Sequence, residues 1–123
     1  MNPLSDTPQY VECSHRNGHL VARVVVPSVG QAEAPVVRER IVEHLARLPR
    51  GGVFVLDLSQ VSLLGSMGLG VCVDLRNQAE RQGVRPFVYG LNKHLEDLFR
   101  LMRIEHLFKT IRTPQELDQT LGG

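Results

Sequence analysis

No stretch of this 123-residue chain approaches the ~20 consecutive apolar residues that a bilayer-spanning helix requires. Its first residues, MNPLSDTPQ, have neither the charged start nor the apolar core of a signal peptide. The expected location is therefore the cytoplasm, with no insertion into a membrane. There is no excess of charge of one sign either. The net charge is +1, and the basic residues are not clustered. That argues against nucleic acid or an anionic membrane surface as the main partner. Cysteine is scarce. Cys13 and Cys72 are far apart, in no metal-like spacing, and each sits in an apolar stretch, so two reduced core thiols are expected. The five histidines (His15, His19, His44, His94 and His106) are scattered, with no zinc-type spacing among them or to a cysteine. No metal and no cofactor are expected.

Apolar residues make up 42% of the chain and charged residues 22%, ordinary values for a soluble globular protein. The length suits one domain that buries a core without disulfides or metals. Residues 1–9, with Pro3, Ser5, Asp6 and Pro8, read as a mobile tail, and 10–121 as the domain. Tyr10 to Arg16 is extended in pattern, and HLVARVVV reads as a second strand. Asn17-Gly18 between them is a strong hairpin signal, because both residues tolerate positive φ. PSVGQAEA reads as a loop. Pro35 then opens a helix in which Val37, Ile41, Leu45 and Leu48 recur at helical spacing. VFVLDLS is nearly all apolar, the mark of a strand buried on both faces. A helix follows with Gly68, Val71, Cys72, Leu75 and Ala79 on one stripe, and Gly83 ends it. RPFVYG reads as another buried strand. Asn92 is positioned to cap a helix carrying Leu95, Leu98, Phe99 and Met102 inward. After a short extended piece, Thr113, Pro114 and Glu116 form a capping-box start for the last helix.

The order β-β-α-β-α-β-α-β-α predicts an α/β fold. It is a mixed sheet of about five strands with an antiparallel N-terminal hairpin and the rest parallel. Right-handed crossovers between strands in sequential order put the helices mainly on one face. Arg23, on an otherwise apolar strand, fits a sheet less completely covered on its second face.

The stretch LLGSMGLGVCVDLRNQAERQG places Gly65, Gly68 and Gly70 within six positions at the start of an amphipathic helix. Glycine inside a helix costs roughly 1 kcal/mol relative to alanine. Either a phosphate sits there, or another backbone comes very close. A nucleotide-binding P-loop needs a lysine that this stretch lacks, and the glycine spacing is not that of a dinucleotide site. Ser66 as a hydrolase nucleophile would need the first glycine one position earlier, and an acid and a histidine after it. Neither His94 nor His106 has an obvious orienting partner. Ser66 also suits a helix N-cap, accepting an N–H two or three residues on. Helix starts favour negative charge, so a phosphate on Ser66 would be tolerated while presenting about −2 charge outward. Simple capping and a modifiable cap both remain open on the residues alone.

VFVLDLSQVSLLGSMGLGVCVDLRNQAERQG resembles the core of the STAS domain, the anti-sigma factor antagonist family. Ser59-Gln60-Val61 fits the family's Ser-x-Val, Ser66 falls on its regulatory serine, and Gly68-Leu69-Gly70 fits its Gly-Leu-Gly. The segment GLNKHLEDLFRLMRIEHLFKTIRTPQEL is similar to the family's ending, and the resemblance covers roughly residues 10–120. It implies a small non-enzymatic protein that captures an anti-sigma factor, itself typically a serine kinase with its own ATP site. Phosphorylation of Ser66 would break the capture and a phosphatase restore it. The implied contact surface is Leu64, Gly65, Ser66, Met67, Gly68, Leu69 and Gly70, with glycines 68 and 70 admitting the partner closely. Gly65 stands where the family usually has an acidic residue, and Met67 where it has a second hydroxyl. The alternative within the family is an interaction subunit of a signalling or transport complex that binds constitutively. A small serine hydrolase is the reading from another class.

Overall fold

The computed structural model describes residues 9–122. The expected tail, 1–9, lies outside these but for its last residue. Five strands form the main sheet in the order β1-β2-β4-β6-β7. β1 (Val11–Arg16) and β2 (His19–Val24) are the antiparallel hairpin. Its turn is Asn17 at φ 54° and Gly18 at φ 77°, the left-handed pair that matches strand twist. β4 (Val53–Asp57), β6 (Arg85–Tyr89) and β7 (Lys109–Ile111) continue the sheet in parallel with β2. Each parallel step carries a helix: α1 (Ala34–Leu45), α2 (Ser66–Gln82) and α3 (Lys93–Leu101). A fourth helix, α4 (Pro114–Thr120), follows β7.

Alternation along β4 divides the core. Phe54 and Leu56 face the larger core, with Leu20, Ile41, Leu75 and Phe99. Val53 and Val55 face the other side, with Ile111, Leu121 and Leu117. Three helices therefore cover one face, and the short C-terminal helix covers part of the second. Pro86, with no N–H to donate, pairs only with β4; the ladder to β7 begins at Phe87.

Arg23 and Asp57 are register partners on that second face, joined by a 3.2 Å contact. The Asp57 carboxylate is only 1% exposed. It also accepts the Ser59 N–H at 2.9 Å and the Ser59 hydroxyl at 2.6 Å. A buried charge persists when paired and hydrogen-bonded in this way. The result is a fixed turn where the chain leaves β4 on its way to α2.

The frame departs from the sequence pattern at three of its joints, and α1 stops at Leu45, leaving Leu48 beyond the helix. Ser28–Val29, expected in a loop, form a short strand β3 that pairs in parallel with β5, Leu63–Leu64. β2 ends at Val24 and not Val26: the pairing runs out with the Val25 N–H on the Tyr10 carbonyl (2.8 Å), just before β1, and Pro27 follows. Met102, expected inward, is 54% exposed, because α3 ends at Leu101 and Arg103 turns the chain away at φ 59°.

Candidate functional site

The β3–β5 pair sets the start of α2. The Gly65 N–H donates to the Val29 carbonyl at 3.0 Å, and the Gly65 carbonyl accepts the Leu69 N–H at 2.9 Å. Gly65 is thereby the N-cap, with extended backbone, and Ser66 is the first helical residue. This corrects the expectation that Ser66 caps the helix. No side chain caps α2. The Ser66 hydroxyl is exposed and free of any capping duty.

The glycines divide. A Cβ on Gly68 would lie 2.7 Å from the Val29 carbonyl oxygen and 3.2 Å from both the Val29 Cβ and a Leu64 methyl. Gly68 is buried. Its close approach is to the protein's own β3, so it offers no surface to a partner, contrary to the expectation for this position. Gly70 is the opposite case: it is exposed, and a Cβ there would meet nothing within 4 Å.

Beside Ser66 runs an open groove of ≈ 510 Å³. One wall is Ser66, Gly70 and Val73 of α2; the other is Leu98 of α3, with Met102 and Ile104 just beyond its end. Leu64 and Leu69, both nearly buried, lie in its floor, so they bear on the surface only from within. Gly65, Ser66, Met67 and Gly70 are the exposed members of the expected contact set. No lining side chain titrates. No general base that could activate Ser66 is among these lining residues.

Other reactive groups lie apart from this groove. Burial pushes the Cys72 thiol up to about 12 and the Cys13 thiol to about 11, so both are protonated and poorly nucleophilic at neutral pH. Among the described residues there is no group of three metal-ligating side chains. Among those residues, too, no helix is long and apolar enough to cross a membrane.

The contribution of α3 is what the sequence reading missed. Helical spacing assigns Leu98 and Met102 to the core; Leu98 does pack against it in part while also lining the groove, and the stop of α3 at Leu101 leaves Met102 exposed there. The β3–β5 clamp left no signal either, since two-residue strands have no readable period.

A family model for the STAS domain matches residues 10–117. No curated protein matches the chain by sequence. Solved structures do. An anti-sigma-factor antagonist (STAS) domain protein from Planctomyces limnophilus superposes with a TM-score of 0.81 at 12% identity, over 92% of this chain and 98% of its own. An anti-sigma factor antagonist from Mycobacterium paratuberculosis gives 0.71 at 20% identity, covering 92% and 93%. The anti-sigma factor antagonist SpoIIAA, solved in its unphosphorylated form, gives 0.73 at 11% identity, covering 92% and 97%.

Proposed function

The chain belongs to the STAS domain family, and we propose that it acts as an anti-sigma factor antagonist. In this reading it captures an anti-sigma factor that is a serine kinase, through the exposed start of α2, in the cytoplasm and without enzymatic activity of its own. The kinase phosphorylates Ser66 and is released; a phosphatase resets the serine.

The observation that carries the reading is the state of Ser66. Its hydroxyl is exposed, caps nothing, and stands at the edge of an apolar groove. A phosphate there would sit at the positive end of a 17-residue helix, where negative charge is favoured. The fold would tolerate the modification. A partner seated against the apolar groove would not, since it would have to strip water from about two negative charges. The switch thus needs no conformational change in this protein.

The experiment is to recover the protein's partner from the native cell, supply ATP, and map the phosphorylated residue by mass spectrometry. Phosphate on Ser66, and none in Ser66→Ala, is the expected result. A tight partner that leaves Ser66 unmodified would favour constitutive binding. Gly65 and Met67, in place of the family's acidic and hydroxyl neighbours, are the feature on which that second reading rests.

A further inference from the structure

We infer that His15 and His44 form a two-imidazole site for a divalent transition-metal ion that takes its ligands at right angles, Cu2+ or Ni2+. The site shares no residue with the groove at Ser66 and stands independently of the function proposed for it.

The two side chains come from elements far apart in the chain. His15 is on the edge strand β1, two residues before the Asn17-Gly18 turn, and His44 is in the last turn of α1. His15 Nε2 and His44 Nδ1 lie 2.8 Å apart, with the ring centroids 5.1 Å apart and the planes tilted by 33°. His15 is exposed and His44 partly so, and an ion can reach both from solvent. Both elements are fixed by the fold: β1 by its ladder to β2, and α1 by Val37, Ile41 and Leu45 in the core. The donors are thus together before an ion arrives, which removes much of the ordering cost of binding.

The separation selects the ion. Two nitrogens, each roughly 2.0–2.1 Å from one metal, lie about 2.9 Å apart at a right angle and about 3.3 Å apart at the tetrahedral angle. The 2.8 Å spacing matches the right angle, the cis arrangement of tetragonal Cu2+ and Ni2+, better than tetrahedral Zn2+. A turn of each exposed ring brings both lone pairs onto one point. In the metal-free pair one ring N–H bridges the two nitrogens. On binding, that hydrogen moves to the other nitrogen of its own ring, so both imidazoles ligate in the neutral form and no proton is released.

No third protein donor joins the pair: among the described residues no three His, Cys, Asp or Glu side chains come together. Water fills the remaining positions. The surrounding charge is mixed, with Arg47 and Arg40 acting on His44 as cations and Glu43 as an anion. The ion is therefore held by its nitrogen bonds and not by a negative field. Mg2+ and Ca2+, which take oxygen ligands, are excluded.

The test uses the full chain without an affinity tag, titrated with NiCl2, ZnCl2 or MgCl2. Ni2+ binds the pair only when β1 and α1 are docked, so it should stabilise the fold: at ten times its Kd the thermal midpoint should rise by roughly 5 °C. Zn2+ should give a smaller rise and Mg2+ none. His15→Gln and His44→Gln should each abolish the Ni2+ rise, and Arg47→Gln should tighten Ni2+ binding. If either histidine variant fails to fold, the imidazole NMR signals of the wild type decide: paramagnetic Ni2+ should broaden His15 and His44 first and leave His94 and His106 sharp at the same concentration. No rise at millimolar Ni2+, a rise retained in either histidine variant, a larger rise with Zn2+, weaker binding in Arg47→Gln, or equal broadening of His94 and His106 would each overturn the inference.

Discussion

Gly68 lies so close to Val29 that a Cβ on it would be 2.7 Å from the Val29 carbonyl oxygen. The contact ties the first turn of α2 to β3, the strand whose carbonyl also holds the N-cap Gly65. Gly68→Ala must move backbone, and a gain of roughly 1 kcal/mol in helix propensity does not offset a clash of about 1–3 kcal/mol. Gly70→Ala meets nothing and should stabilise by up to ~1 kcal/mol. Urea midpoints should therefore move in opposite directions for the two variants. A shift in the same direction would contradict the division of roles.

Ser66→Ala should change stability by less than about 0.5 kcal/mol, because no capping bond is lost. Ser66→Asp should add about 0.3–1 kcal/mol at low ionic strength, from a carboxylate in the first turn. The gain should shrink in high salt. A loss near 1 kcal/mol in Ser66→Ala would mean that the hydroxyl caps the helix after all.

The two true caps differ in what they hold. Asn92 accepts the Leu95 N–H at 2.8 Å and also donates to the Val61 carbonyl at 3.3 Å, tying α3 to the turn before β5. Thr113 accepts the Glu116 N–H at 3.1 Å on an exposed helix end. Both cap-to-alanine changes should cost about 1 kcal/mol, with Asn92→Ala the larger. Equal midpoints in denaturant would remove the tie between Asn92 and Val61.

His44 gives the fold a pH dependence. Burial first, then the Arg47 cation and the neighbouring His15, hold its imidazole below the usual 6.5. Its Nδ1 lies 2.8 Å from His15 Nε2. The unfolded chain then binds the proton more readily than the fold does. This contribution to stability is complete above pH 6.5 and is lost as pH falls from there through the folded value. His44→Gln should flatten the stability profile over that range. An unchanged profile would show that other groups set it.

The frame of the fold was legible because its signals are local and repeated. Asn17-Gly18, the stripe Val37–Ile41–Leu45, the apolar run of β4 and the Thr113 box each sit where their chemistry dictates. The start of α2 was not, because the choice between Gly65 and Ser66 as cap is made by Val29, 36 residues earlier than Gly65 (65 − 29). Gly68 and Gly70 look alike in sequence; only the arrival of β3 over one of them tells them apart. Met102 reads as core because helical periodicity cannot foresee that Arg103 ends the helix.

The central claim is that charge on Ser66 alone breaks capture of the partner. The most direct measurement is calorimetric affinity of the recovered partner for four forms of the protein: wild type, Ser66→Ala, Ser66→Asp and wild type phosphorylated on Ser66. Wild type and Ser66→Ala should bind alike. The phosphorylated form should bind at least about 100-fold more weakly, the effect of some 3 kcal/mol of unmet desolvation, and Ser66→Asp should fall between, with about half the charge. Equal affinity for all four forms would contradict the account.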